Sequence, residues 1–413
     1  MKWRIIILIL AALGSDLLAA EVIELNRAFS TGARTYSQGI PREAITASAS
    51  DSERVTMTQS SAGYYGIAAV RVYTDHFQTL VDSGFTSSVA HGFYIGDHAH
   101  HTERNDTIIV VGPRGDGKWW ARYTVSANDF IFLDSGLIDS AGQADSQGEV
   151  EWFAQTDSVI VLGRNPDDMD VWYWLSQNNG ASYASQGHMY AYDLDTRVEI
   201  DQWGDSLYAV VFRGVTPFAY YFHPFGGTWG TRETISTGTA FTRLYAASEG
   251  RDKWVHVMWT DYSNPTHVIH ARRDPVAQTW ALDTPYTAAG QILTNGGELW
   301  PALCYSKWDA KLRAFYSAPN ATNADSSAIL IERIWNYTTA AWGDPDTIST
   351  AGSDYVCNLA GCRDVPANHH SRAYIEFNER VSGTTTTRHM VLADSAATEY
   401  GAEPPERNKV IAR

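Results

Sequence analysis

The stretch Ser176-Gln177-Asn178-Asn179-Gly180-Ala181-Ser182-Tyr183 decides the fold prediction, and it follows a strand-like apolar run at residues 170–175. It reads Ser-x-Asn-x-Gly-x-Ser-aromatic, which is typical of the turn of a β-hairpin. In such a turn an Asn or Asp side chain binds the turn backbone, a Gly adopts positive φ and the aromatic residue packs beneath. The stretch therefore predicts two antiparallel strands joined at residues 176–183.

Three later stretches repeat this order of an apolar run, a short polar turn and an aromatic residue. They are Phe225–Trp229, Asp274–Trp280 and Tyr337–Trp342. A spacing of roughly 45–50 residues is typical of a four-stranded propeller blade. The sequence thus predicts an all-β protein, a single β-propeller with six or seven four-stranded blades, seven being favoured. The seven segments are expected at about residues 53–88, 89–140, 148–194, 195–238, 239–291, 297–350 and 353–395.

The two ends of the chain differ from the repeats. Lys2 and Arg4 precede an apolar run and then small residues, which predicts a secretory signal peptide over residues 1–20. An uncleaved membrane anchor is the alternative, although the run is short for a membrane span. The propeller is expected over 21–395, with a closing strand near 35–41, and a tail over 396–413. This division predicts a secreted, extracellular or periplasmic protein without stable membrane insertion after signal cleavage.

Composition limits the partners. The 413 residues carry a formal net charge of −16, and aromatic residues make up 12% of the chain. A diffuse acidic surface argues against a nucleic acid as partner, because that binding depends on cations that displace the phosphate counterions. A polysaccharide or glycan, including an anionic one, stays compatible with this charge, since a local group of arginines can override the global sign.

Candidate site residues lie where the predicted strands meet the central channel, whose mouth is the usual binding site of a propeller. His98 leads into the second predicted blade, Arg243 and Tyr245 open the fifth, and Trp300 opens the sixth. Two further candidates, Arg164 and Arg213, end apolar strands. Each residue also fits a structural role: the histidine as a hydrogen-bonded turn residue, the arginines as paired surface residues and the tryptophan as core.

Five stretches resemble the BNR-repeat, or Asp-box, propellers, a sialidase-like group that includes polysaccharide lyases such as the ulvan lyases. They are Phe93–Ala99, Pro113–Lys118, Ala121–Tyr123, Val211–Gly214 and Arg243–Val257. Together with the hairpin turns, the resemblance extends over about residues 65–345.

The resemblance implies β-elimination at a uronic acid, without a catalytic cofactor. In that reaction an arginine neutralises the carboxylate, a His or Tyr removes the C5 proton, and the other protonates the leaving oxygen. It implies His98, Tyr245 and Arg243 as catalytic residues. It implies as substrate-binding residues Arg164, Arg213, Tyr123 and Trp300. The sequence departs from the family where a second histidine is expected, because it reads Tyr123-Thr124-Val125-Ser126 there.

This departure keeps other functions open. A non-catalytic glycan-binding propeller, such as an adhesin or a virion surface protein, needs no second histidine. A sialidase-like glycoside hydrolase needs an Arg-Ile-Pro motif near the start, whereas this chain has Gly39-Ile40-Pro41-Arg42. A scaffold that uses the propeller only for protein contacts is the third alternative.

The three cysteines allow two predictions near the C-terminal end. Cys357, Cys362 and His369 have a spacing compatible with a structural Zn²⁺ site, with Cys304 as a further ligand. A disulfide between Cys357 and Cys362 is the alternative in an exported protein.

Overall fold

The computed structural model describes the strands and several of the turns that join them. The described residues are 21–26, 44–47, 54–61, 64–72, 77–86, 100–104, 107–114, 117–126, 129–139, 148–153, 157–164, 170–190, 196–203, 206–213, 216–222, 229–236, 241–248, 254–261, 267–287, 301–319, 327–348, 355–362, 364–366, 368, 371–381, 384–393 and 410–411. The predicted signal peptide, the stretch 35–41, His98, Trp300 and His369 lie outside them. Within the described part of the chain, no helix has the length and apolar character that a membrane crossing requires.

The described strands form seven sheets, numbered I to VII in chain order. Sheet I contains β2 (Ala44–Ala47), β3 (Arg54–Ser61), β4 (Tyr64–Val72) and β5 (Phe77–Thr86). Sheet II contains β6 (His100–Arg104), β7 (Thr107–Arg114), β8 (Gly117–Ser126) and β9 (Asp129–Asp139). Sheet III contains β10 (Gly148–Phe153), β11 (Ser158–Arg164), β12 (Val171–Ser176) and β13 (Ala184–Tyr190).

The next two sheets repeat this four-stranded order. Sheet IV contains β14 (Thr196–Trp203), β15 (Ser206–Arg213), β16 (Thr216–Phe222) and β17 (Glu233–Thr234). Sheet V contains β18 (Phe241–Ser248), β19 (Val255–Asp261), β20 (His267–Arg273) and β21 (Trp280–Thr287).

The last two sheets carry additional strands. Sheet VI contains β22 (Pro301–Ser306), β23 (Lys311–Pro319), β24 (Ser327–Asn336), β25 (Ala341–Trp342), β26 (Asp346–Thr347) and β28 (Asp364–Val365). Sheet VII contains β27 (Tyr355–Gly361), β29 (Ser371–Val381), β30 (Thr384–Ala393), β1 (Glu21–Asn26) and β31 (Val410–Ile411).

The sheets are arranged as a ring. The first strands β2, β6, β10, β14, β18, β22 and β27 each contact the next, and β27 contacts β2. Strand β1 pairs antiparallel with β30, so the first described strand of the chain lies beside one of the last. This is a β-propeller, as the sequence predicts. Within the described residues, Glu21–Asn26 joins sheet VII beside β30, whereas the predicted closing stretch 35–41 lies outside them.

Alternation along the second strands explains how neighbouring sheets pack. In β11, Val159 and Val161 pack toward sheet II with Trp174, while Ile160 and Leu162 pack toward sheet IV. Successive side chains of a strand point to opposite faces, so a strand covered on both faces reads as an uninterrupted apolar run. The core is therefore a series of layers between sheets, and the ring of first strands surrounds the axis.

The hairpin turn quoted first forms as predicted. The Oδ1 atom of Asn178 accepts a hydrogen bond from the Ser182 N–H at 3.0 Å, and Ser176 Oγ accepts one from the Gly180 N–H at 2.9 Å. Gly180 has a φ of 75°, and an added Cβ would lie 2.5 Å from Cδ1 of Ile109 in sheet II. Glycine is therefore needed here for its backbone conformation and for the contact between sheets.

The related turns in sheets V and VI use the same chemistry. Asp274 Oδ1 accepts hydrogen bonds from the N–H groups of Val276 and Ala277. Asn336 Oδ1 likewise accepts two backbone hydrogen bonds at the β24–β25 turn. The aromatic residues that end these turns, Trp280 and Trp342, pack against the cores between sheets.

Candidate functional site

Strand register brings the predicted arginine positions to one end of the ring. Arg213 is the last residue of β15 and pairs with Thr196, the first residue of β14. Arg164 ends β11, one residue beyond the Gly163 that pairs with Gly148, the first residue of β10. We call this end, where the first strands begin, the upper mouth. The backbone positions of both arginines lie there in neighbouring sheets.

The remaining predicted catalytic positions that the structure describes lie on β18. Arg243 is the third residue of this first strand and pairs with Thr260, and Tyr245 pairs with Met258. Strand β18 contacts the first strands of sheets IV and VI. Arg243 is thus near the upper mouth, and Tyr245 lies two residues further along the same strand.

One further arginine occupies an equivalent position. Arg114 is the last residue of β7 and pairs with Gly117, so it ends the second strand of sheet II as Arg164 and Arg213 end those of sheets III and IV. Three successive sheets therefore deliver an arginine to the same end. The shared sequence signal is an apolar strand that ends in arginine, and among these three the sequence predictions included only Arg164 and Arg213.

Tyr123 has a different environment from the other predicted substrate-binding residues. It is buried, it pairs with Ile108 near the lower end of sheet II, and its ring packs edge-on against Phe132 at 5.8 Å. Burial raises the pKa of its hydroxyl far above the ordinary value. The structure therefore places Tyr123 in the packing of sheet II, away from the upper mouth.

A histidine and an aspartate that the sequence did not indicate meet at the upper end of sheet III. Asp170 immediately precedes β12, and its Oδ2 lies 3.0 Å from Nδ1 of His188 on β13. The histidine side chain is 54% exposed, whereas that of the aspartate is only 11% exposed. A buried carboxylate that orients an exposed imidazole is suited to hydrogen bonding or proton transfer. The two residues are 18 positions apart, and an irregular strand pairing brings them together. No local sequence pattern therefore indicated this pair.

Lys118 is a buried amine between sheets II and III. Only 3% of the residue is exposed, its Nζ lies 4.6 Å from the ring centroid of Trp174, and within the described structure Nζ has no hydrogen-bond partner. Burial lowers its pKa to about 7, while the charge of Asp139 opposes this shift. Near neutral pH the amine is therefore partly uncharged.

A second buried titratable cluster lies between sheets V and VI. The rings of His256 and His270 stack at 5.1 Å, with Nδ1 of the first 2.9 Å from Nε2 of the second. His270 also lies 3.0 Å from Asp283 and packs against Trp342. Burial, together with the charges of His270 and Arg272, lowers the pKa of His256 well below its ordinary value. Among the described residues, no group of three or more His, Cys, Asp or Glu side chains is arranged to hold a metal ion.

The predicted zinc ligands are only partly described. Cys304 and Cys362 are both buried thiols, and Sγ of the first contacts the carbonyl oxygen of the second. The disulfide alternative, which joins Cys357 to Cys362, stays a prediction. Cys357 lies on β27 opposite Asn378, and its side chain, like His369, is outside the described residues. The zinc site stays a prediction.

Comparison with known proteins identifies the fold. No protein family matches the sequence, and no curated protein matches it either. An ulvan lyase of polysaccharide lyase family PL25 superposes with a TM-score of 0.54 at 10% identity, over 90% of this chain and 94% of that one. The chain shares the β-propeller fold of this lyase. The same lyase, bound to -[GlcA(1-4)Rha3S]-, gives the same values.

Two other solved propellers are less similar. The NanB sialidase from Streptococcus pneumoniae, as its K499G mutant, superposes with a TM-score of 0.47 at 12% identity, over 89% of this chain and 70% of that one. The Dos1 propeller gives 0.48 at 10% identity, over 82% and 74%.

Proposed function

We propose that this propeller is a secreted carbohydrate-active protein that cleaves an acidic, uronate-containing polysaccharide by β-elimination. The observation that carries the proposal is the strand register, which gathers the positions of Arg164, Arg213 and Arg243 at one mouth. A propeller with a net charge of −16 needs such a local group of cations to attract an anionic chain.

Each proposed residue has a separate role in the reaction. Arg243 binds the uronate carboxylate, and its charge makes the C5 proton more acidic. His98 removes that proton, and electrons from the C5–H bond form the new C4–C5 double bond as the C4–O bond breaks. Tyr245 protonates the leaving oxygen. Arg164 and Arg213 hold neighbouring acidic sugars, and the chemistry needs no cofactor.

Absorbance of unsaturated products tests this proposal directly. The protein is incubated with a panel of acidic polysaccharides, and ultraviolet absorbance from new double bonds is followed together with reducing ends. His98→Ala is expected to lower turnover about 10²-fold to 10⁴-fold, the usual contribution of a general base. Arg243→Ala is expected to lower it about 10²-fold.

Arg232→Ala is the matched control, since this arginine is exposed beside the outer strand β17. It is expected to leave turnover unchanged. New reducing ends without absorbance would contradict elimination and favour a sialidase-like hydrolase.

A glycan-binding protein without catalysis is the second candidate function. The sequence Tyr123-Thr124-Val125-Ser126 carries no second histidine, and this absence favours binding over turnover. Binding to acidic glycans on an array, with neither absorbance nor reducing ends, would support this candidate against the lyase.

A further inference from the structure

We propose that Trp172, His188 and Asp170 form a distal sugar-binding subsite at the upper end of sheet III, outside the mouth. This inference rests on the proposed function, because it assumes that a bound polysaccharide leaves the mouth across sheet III. It assigns a role to a side-chain cluster that the elimination chemistry does not use.

The polar part of the subsite is the Asp170–His188 dyad. The carboxylate of Asp170 accepts a hydrogen bond from Nδ1 at 3.0 Å and so selects the tautomer protonated at that atom. Nε2 is then left as an acceptor for a sugar hydroxyl. The aspartate is nearly covered, whereas the histidine is 54% exposed. A ligand can therefore contact the imidazole but little of the carboxylate. This arrangement limits repulsion of an acidic sugar chain.

The aromatic part is Trp172, which is half-buried and pairs with His188 across β12 and β13. The centroids of the two rings are 5.2 Å apart with an interplanar angle of 35°. An indole face carries negative charge density that attracts the polarised C–H groups of a sugar face. Together the two rings provide an apolar platform beside a hydrogen-bonding group, the combination that fixes a small polar ligand.

The backbone around the platform is irregular. The β12–β13 register shifts between Val171 and Trp172 and again between Tyr173 and Trp174. Gly187 pairs with Tyr173, has a φ of 97°, and a Cβ added there would meet no atom within 4 Å. Bulges redirect side chains at the edges of sheets and beside binding sites. Here they place His188 opposite Trp172.

The position of the subsite predicts that it acts only on long ligands. Strands β10, β11, β12 and β13 follow one another outward, so His188 is three strand spacings, roughly 14 Å, from the innermost strand. Arg164, which pairs with Val171, lies at an intermediate position on this path. A sugar held at the mouth therefore cannot touch the dyad, whereas a chain of several further units can reach it.

Affinity for fragments of two lengths tests the subsite. Binding of a disaccharide and of a decasaccharide from one acidic polysaccharide is measured by calorimetry for the full protein and for Trp172→Ala and His188→Ala. Each variant is expected to bind the decasaccharide about tenfold more weakly, which is roughly 1.4 kcal/mol, and to bind the disaccharide normally. Trp308→Ala, which removes an exposed tryptophan of the β22–β23 turn, is expected to change neither affinity.

The possible results separate the two proposals. Unchanged decasaccharide affinity in both variants would overturn the subsite and leave the proposed function standing. If the unmodified protein binds no acidic fragment, the proposed function is wrong and the subsite with it. Because His188 is largely exposed, His188→Ala keeps the test decisive even if Trp172→Ala does not fold.

Discussion

Two buried cations, Arg313 and Lys118, show opposite ways of placing a charge inside this propeller. Arg313 is 1% exposed on β23, and its guanidinium donates hydrogen bonds to Asp309, Glu332 and the carbonyl of Arg372. Lys118 is 3% exposed on β8 and has the face of Trp174 in place of a hydrogen-bond acceptor.

The surroundings decide whether each group stays charged. Burial works against the charge of Arg313, but the hydrogen bond and charge of Asp309 and the charge of Glu332 outweigh it and raise its pKa. For Lys118 burial dominates, and the pKa falls to about 7. A buried group stays charged where its hydrogen-bond acceptors are buried with it. Without such acceptors, burial favours its neutral form.

Breaking the paired site is expected to have the largest effect. Arg313→Met leaves the carboxylates of Asp309 and Glu332 without their cation, and removing one partner of a buried ion network typically costs about 3–5 kcal/mol. The free energy of unfolding, measured by urea denaturation, should fall by that amount. Lys311→Met, an exposed site on the same strand, should change it little. A loss below about 1 kcal/mol would show that the network is not stabilising.

Replacing the unpaired cation is expected to act in the opposite direction. Lys118→Met removes an amine that is unfavourable when charged, so the free energy of unfolding near pH 7 should rise by about 4 kcal/mol. A comparison of the two proteins by urea denaturation across pH measures the gain.

The gain has a defined pH window. Between pH 10.5 and about pH 7 the unfolded chain binds a proton at Lys118 that the folded chain does not, so the stability of the unmodified protein falls as pH falls. Below about pH 7 both states are protonated and the full penalty remains. The advantage of Lys118→Met should therefore be absent above pH 10.5 and complete at about pH 7. An advantage that is independent of pH would contradict a buried, perturbed amine.

The smallest expected effect concerns an exposed group whose hydrogen bonds are all local. Asn178→Ala removes the acceptor of the Ser182 N–H and should lower the free energy of unfolding by about 1 kcal/mol. Asn178→Asp preserves that acceptor and should retain most of the stability. Equal losses in the two variants would show that the turn does not depend on this hydrogen bond.

The sequence predicts the fold through local chemistry. The turns at Asn178, Asp274 and Asn336 are each specified by residues within a few positions of one another, and their regular spacing predicts the repeat. Pairing of Glu21–Asn26 with β30 was not among the predictions, because it depends on contacts across almost the whole chain. Local pattern contains no signal for such a pairing.

The candidate site was less predictable, because it depends on strand register. An apolar run that ends in arginine identifies Arg164 and Arg213, since the strand end fixes their position. The Asp170–His188 contact depends on two shifts in the β12–β13 pairing, which no local pattern encodes. Tyr123 matched a family motif, yet its strand position makes it a packing residue.

Pairing of β1 with β30 has a consequence for synthesis. Residues 21–26 are made early, but their partner strand spans residues 384–393. During translation the edge of β1 that pairs with β30 therefore stays unpaired until β30 has been made. Sheets II to V consist of consecutive chain segments and can form one after another. The ring of first strands closes once β27 can contact β2, whereas premature termination before β30 leaves β1 without its partner strand.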